Sequence, residues 1–159
     1  MESSSLWMPA RGAVRTRAGS LRWRLVLRGQ VVAPDDALLA LTAPVAAKPR
    51  FAFAAVHAGL VFAAVGDVAA IGAVADRVRR GARPAYADVC APVLDALLAF
   101  VEARYAECAA VLGALPRSEL TRLGGNAVQR RVLVETRGVA LLRAGCAVVA
   151  RGPERALES

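Results

Sequence analysis

The sequence predicts an all-α protein built from antiparallel helical hairpins, and three observations carry that prediction. Hydrophobic residues make up 57% of the chain and aromatic ones only 5%, so the core is mostly Ala, Val and Leu, and an excess of Ala and Leu favours helix by tenths of a kcal/mol per residue. Apolar residues recur at spacings of three and four over most of the chain, the signature of a helix with one buried face. Small-residue joints also recur. Gly66-Asp67 and Ala103-Arg104 are offset by 37 residues, and a third helix end is expected at Ala144-Gly145, about 42 residues after Ala103. Hairpins at such a period are the mark of a helical-repeat array, in which each pair stacks on the next because none can bury its apolar face alone.

The first 33 residues carry six arginines (Arg11, Arg15, Arg17, Arg22, Arg24, Arg28), several serines and one acid, Glu2. That is the composition of an organellar transit peptide. Within them Leu21, Trp23, Leu25 and Leu27 alternate with Arg22, Arg24 and Val26, which by period alone is a strand pattern. Gly29 stops this element. Pro34-Asp35 then opens a short apolar helix from Asp36 to Ala43, ended by Pro44.

Residues 51–80 form the central hairpin. The first half, residues 51–65, is apolar on all sides except for His57, and such a helix must be buried. At fifteen residues it is shorter than the ~20 needed to span a bilayer. The second half places Val68, Ile71, Val74 and Val78 on one stripe, with Asp76, Arg77, Arg79 and Arg80 mostly off it. Gly66 can take the left-handed conformation that ends the first helix, and Asp67 can cap the second.

A connection containing Pro84 leads to a second hairpin. Pro92 sits near its start, where a missing amide costs nothing. Leu94, Leu97, Leu98 and Val101 form one buried stripe, and the returning helix carries Tyr105, Cys108, Leu112 and Leu115 as far as Pro116. A polar stretch, residues 117–122, and the joint Gly124-Gly125-Asn126 precede the third unit, whose helix Asn126 is suited to cap. Its expected stripe is Val128, Val132, Val139 and Leu142, and its partner, residues 146–157, is interrupted by Gly152-Pro153. An end of this kind is expected to be apolar and exposed, and to drive self-association or leave the chain marginally stable. The organisation read from these features is a disordered or vestigial segment over residues 1–19, a helical-repeat domain over 20–150 and a frayed tail over 151–159.

Leu123-Gly124-Gly125-Asn126-Ala127-Val128-Gln129-Arg130-Arg131-Val132-Leu133 resembles the Ile-Gly-Gly-Ser-(His/Asn)-Ala-Gln-Arg-Asp-Val-Phe signature of the tetratricopeptide repeat protein 38 family. His57-Ala58, Phe62-Ala63 and Gly66 resemble that family's His-Ala, Phe-Ala, Gly pattern, and Ser20-Leu21-Arg22-Trp23-Arg24-Leu25 resembles its Ser-Leu-Leu-Trp-Arg-Leu helix. The matches run from about Ser20 to Ala150 and cover the family's C-terminal portion only. The resemblance implies tetratricopeptide-like hairpins stacked as a short right-handed superhelix, and it implies that residues 21–28 are helical despite their period of two. Three departures stand out. Arg131 replaces an aspartate, which puts the polar cluster around Gln129 and Arg130 in question, Ala103 stands where a glycine is usual, and residues 151–159 do not continue the last helix as the family does, so the chain resembles a truncated or diverged member.

No constellation for catalysis emerges. His57 is a lone histidine on an apolar helix, with no adjacent carboxylate or cysteine to make it a base or ligand. Gly66 and Gly72 have phosphate-loop spacing, but Ala73-Val74 replaces the residues that bind phosphate. Cys90, Cys108 and Cys146 fit no metal-ligand spacing and read as core residues of a reducing compartment. The net charge of +8 invites a nucleic-acid reading, but the basic residues are spread along the chain without aromatic platforms. The expectation is a non-enzymatic scaffold with no cofactor and no nucleic acid, which binds a protein or peptide on the concave face of stacked hairpins. Candidate recognition residues are His57, Asn126, Gln129 and Arg130. Its expected location is cytoplasmic, with an organellar one as the alternative. The rival functions are a membrane-associated protein inserting residues 51–75 and an inert C-terminal fragment of a larger enzyme.

Overall fold

The computed structural model describes residues 8–81, 83 and 86–150, with side chains described from Arg17 to Gly145. The expected tail over 151–159, the break at Gly152-Pro153 and the Cys146 side chain lie outside these. Among the described residues all regular structure is helical: α1 (Met8–Leu27), α2 (Asp36–Ala47), α3 (Ala52–Ala64), α4 (Val68–Arg79), a π-helical turn (Tyr86–Cys90) leading into α5 (Ala91–Val101), α6 (Tyr105–Ala114), α7 (Arg117–Thr121) and α8 (Ala127–Ala150). None of these helices is long and apolar enough to cross a membrane.

The chain turns three times in the same way. Gly29, Gly66 and Ala103 have φ values of 81°, 75° and 59°. Each ends a helix with the same pair of bonds. Gly29, Gly66 and Ala103 donate to the carbonyls of Val26, Ala63 and Phe100, and Gln30, Asp67 and Arg104 donate to those of Leu25, Phe62 and Ala99. A left-handed residue that closes two bonds onto the last helical turn satisfies carbonyls the helix leaves open. The 37-residue register therefore begins at Gly29, one unit earlier than the hairpin at Gly66, and α1 is the first helix of the series.

The expected helix ends were overturned in two places. Pro44 lies inside α2, which runs on to Ala47 and closes with Lys48 donating to the Pro44 carbonyl; Ala40 and Pro44 are both exposed, so the carbonyl that loses its amide partner can meet water. Gly145 lies inside α8, which continues to Ala150. A Cβ at Gly145 would meet open space, and a glycine there costs only about 1 kcal/mol. The polar stretch after Pro116 forms the short α7.

Packing follows the series of hairpins. α3 and α4 lie against each other, as do α5 and α6, while α2 packs on α3, α4 on α5 and α6 on α8. α1 lies against α3 and α8. Its period-two pattern does not make it a strand: Trp23 is fully buried and Leu27 nearly so, but Leu21 is exposed, which is what a helical projection gives. Gly19 makes the approach possible, since a Cβ there would stand 2.8 Å from Val61 Cγ2.

Ile71, Val74 and Val78 are buried as expected, with Val68 left at the surface. In α5, Leu94 and Leu97 are fully buried, while Leu98 and Val101 pack at the edge of the core. The stripe read for α8 was wrong in two members. Val128 and Leu142 are exposed, and the buried line is Val132, Leu133, Thr136 and Ala140. Thr136 escaped notice because it is polar and flanked by Glu135 and Arg137. Its hydroxyl donates to the Val132 carbonyl at 2.7 Å and accepts from Trp23 Nε1, so its burial leaves no unmet polarity.

α1 and α8 are joined at three points. Besides Trp23 and Thr136, Arg24 Nε donates to Glu135 at 2.6 Å, and Arg143 Nη2 donates to the Val26 carbonyl at 3.3 Å. Trp23 also sets its ring edge-on to Phe100 of α5, at 5.1 Å between centroids. Arg143 lies over the Phe100 and Tyr105 rings. α1 thus packs against α3 and α8 and reaches α5 through the Trp23 ring.

Candidate functional site

The four residues singled out in the sequence fall into two groups with different work. Asn126 and Gln129 form a reciprocal capping box at the start of α8. Asn126 Oδ1 accepts from the Gln129 amide, and Gln129 Oε1 accepts from the Asn126 amide, both at 2.8 Å, which satisfies two amides that a helix start leaves open. Arg130 reaches back to donate to the carbonyls of Gly124 (3.1 Å) and Gly125. These three side chains hold the α7–α8 joint. The neighbouring Arg131 is exposed and faces Glu135 at 3.6 Å.

His57 belongs to the second group. It is 6% exposed, in the middle of α3, with Nδ1 at 3.4 Å from the Ser20 hydroxyl of α1 and its ring edge-on to Phe53 at 4.2 Å. It is a core histidine bonded to a neighbouring helix. Phe53 connects it to the joint. Gly125 has a φ of 71°, and a Cβ there would stand 2.6 Å from the Phe53 ring. Only glycine allows both that backbone conformation and that approach.

These contacts form one wall of an open cleft of about 1120 Å³ between the end of α2, the first turns of α3 and the α7–α8 joint. His57, Gly124 and Gly125 line it; Asn126, Gln129 and Arg130 do not. Its apolar lining includes Phe51, Phe53, Val45 and Val61, and Phe51 is 65% exposed. Lys48, Arg50, Arg83 and Arg122 also line it, and no Asp or Glu does so among the described residues. Arg122 pairs with Glu119 and Asp88. Arg83 donates to the Arg50 carbonyl at 3.2 Å and lies over the Tyr86 ring. Among the described residues, Lys48, Arg50 and Arg83 form no ion pair.

The cleft residues Lys48, Arg50, Phe51 and Phe53 went unnoticed in the sequence. They form one run, Lys48-Pro49-Arg50-Phe51-Ala52-Phe53, and two cations followed directly by two aromatics are the signal that points to it. That Gly124 and Gly125 close the same cleft could not be read from spacing.

The two described thiols, Cys90 and Cys108, are not poised as nucleophiles. Cys90 and Cys108 are buried and free, and burial pushes each up to about 12, with Glu107 adding to the effect at Cys108; a nucleophilic cysteine needs the opposite shift. Among the described residues no group of His, Cys, Asp and Glu could hold a metal ion. No family model, curated protein or solved structure matches this chain.

Proposed function

We propose that this chain is a non-enzymatic, tetratricopeptide-like helical-repeat protein that acts as a protein-interaction scaffold, and that the docking surface is the cleft between α2, α3 and the α7–α8 joint. The resemblance to the tetratricopeptide repeat protein 38 family belongs to this reading, as does the description of the stacked hairpins as a short right-handed superhelix. The repetition of one helix ending at Gly29, Gly66 and Ala103 supports the repeat architecture. The cleft supports the binding role. It combines a largely apolar lining with a few polar groups, the general make-up of recognition sites.

A free concave surface is what stacked hairpins would offer a partner; α1 packs on α3 and is bonded to α8, which favours the cleft as the docking surface.

The test is selection of binders from a random peptide display library on the immobilised chain, with Phe53→Ala as the comparison. Peptides that bind the native chain and lose binding to the variant, while its helical circular dichroism is kept, support the reading. A library that yields no binder above background would sink it.

A further inference from the structure

We infer that the occupant of the cleft is a short acidic segment of a partner protein, with carboxylates set beside bulky apolar side chains. The inference rests on the scaffold reading and adds the chemistry of the partner. Four cationic side chains line the cleft, and no carboxylate does so among the described residues. One of the four, Arg122, is already neutralised by Glu119 and Asp88. Lys48, Arg50 and Arg83 are all exposed and keep their charge without an ionic partner among the described residues. An approaching cationic segment would meet like charges, whereas a carboxylate would replace hydration with charge-assisted hydrogen bonds.

Charge alone would also admit a small anion, and the shape of the cleft argues against it. The cleft is open rather than enclosed, whereas a small-molecule site buries most of its ligand's surface. Its apolar surface is centred on Phe51 and Phe53. A ring as exposed as that of Phe51 gains from being covered, by about 25 cal/mol per Å² of apolar surface removed from water. A segment that alternates acids with large apolar residues meets both requirements, since its side chains can be divided between the cations and the apolar lining. The chain's net charge of +8 would speed its arrival.

The experiment is fluorescence anisotropy with three labelled peptides of one length, alternating Glu, Gln or Lys with Leu and Phe, and with dodecanoate as competitor. The Glu peptide is expected to bind at least about tenfold more tightly than the Gln peptide, with the Lys peptide weakest and the preference shrinking as salt rises. Lys48→Glu combined with Arg50→Glu lies at the surface and should keep the helical signal while abolishing the preference. A library that yields binders while the Glu and Gln peptides bind equally would overturn the inference and leave the scaffold reading standing. Equal binding of the Glu peptide to the charge-reversed variant would likewise overturn it. Dodecanoate displacing the Glu peptide at equal concentration would overturn it in favour of a small amphiphilic anion. If neither the library nor the Glu peptide gives binding, both readings fall together.

Discussion

Trp23 and Thr136 lie 113 residues apart and share one hydrogen bond, the indole Nε1 donating to the threonine Oγ1 at 2.9 Å, with both side chains fully buried. The bond ties the first helix of the series to the last. Replacing Thr136 by Val keeps the shape and leaves the indole N–H without an acceptor, which costs about 1–3 kcal/mol. At about 2–4 °C per kcal/mol for a chain of this size, the melting temperature should fall measurably by circular dichroism. Trp23→Phe should cost at least as much, and the double variant less than the sum of the two, because they break one contact. Fully additive losses would show that the bond contributes nothing.

Ala103 adopts a φ of 59° at the position where Gly29 and Gly66 stand in the other two joints. A left-handed alanine costs about 1–2 kcal/mol, and a glycine gives back about 0.5–1 kcal/mol through its freer unfolded chain. Ala103→Gly should therefore raise stability by roughly 0.5–1 kcal/mol in urea unfolding. Gly66→Ala should lower it by a comparable amount. A loss on Ala103→Gly would show that the turn is held elsewhere, for instance by the Arg104 pairs with Glu102 and Glu107.

Gly125 and Gly138 should respond to alanine with opposite signs. At Gly125 a Cβ meets both a positive φ and the Phe53 ring at 2.6 Å; Gly125→Ala should destabilise by about 1–2 kcal/mol and displace the ring that walls the cleft. Gly138 lies inside α8 with open space beyond it, so Gly138→Ala should stabilise by up to about 1 kcal/mol. Paired thermal melts of the two variants check both signs at once.

Burial raises the Cys90 and Cys108 thiols from an ordinary value of 9.0 to about 12. The unfolded chain therefore releases these protons near pH 9, while the folded chain keeps them. The contribution to stability is whole below pH 9 and is lost as pH rises toward about 12. Between about pH 8 and about pH 10.5 the native chain should lose melting temperature more steeply than Cys90→Ala with Cys108→Ala. Parallel slopes would show that these thiols are not shielded. In the same folded chain, alkylation of both by iodoacetamide should be slow at pH 8.

Much of the helical organisation was legible because it rests on local chemistry. Asp35 and Asp67 cap α2 and α4, accepting from the Leu38 and Ala70 amides, and Asn126 with Gln129 caps α8; each is a short polar side chain placed before an apolar run. Gly66 ends α3 because glycine alone enters the left-handed region freely. The misreadings came where a local rule met no local penalty. Pro44 and Gly145 disrupt a helix only weakly when the freed carbonyl or the missing side chain faces solvent, so neither ended one.

Capping, glycine conformation and apolar periodicity act within a few residues, so the helical class, the starts of most helices and the 37-residue interval from Gly66 to Ala103 can be read from the chain alone. The tertiary structure alone decided which side chains meet. The joining of α1 to α8 through Trp23 and Thr136 buries a polar residue that its neighbours Glu135 and Arg137 mark as exposed. One wall of the cleft brings together Phe53 and Gly125, which are distant in the chain. Both are products of how whole helices stack, and stacking is set by the summed fit of many side chains, which no short stretch of sequence contains.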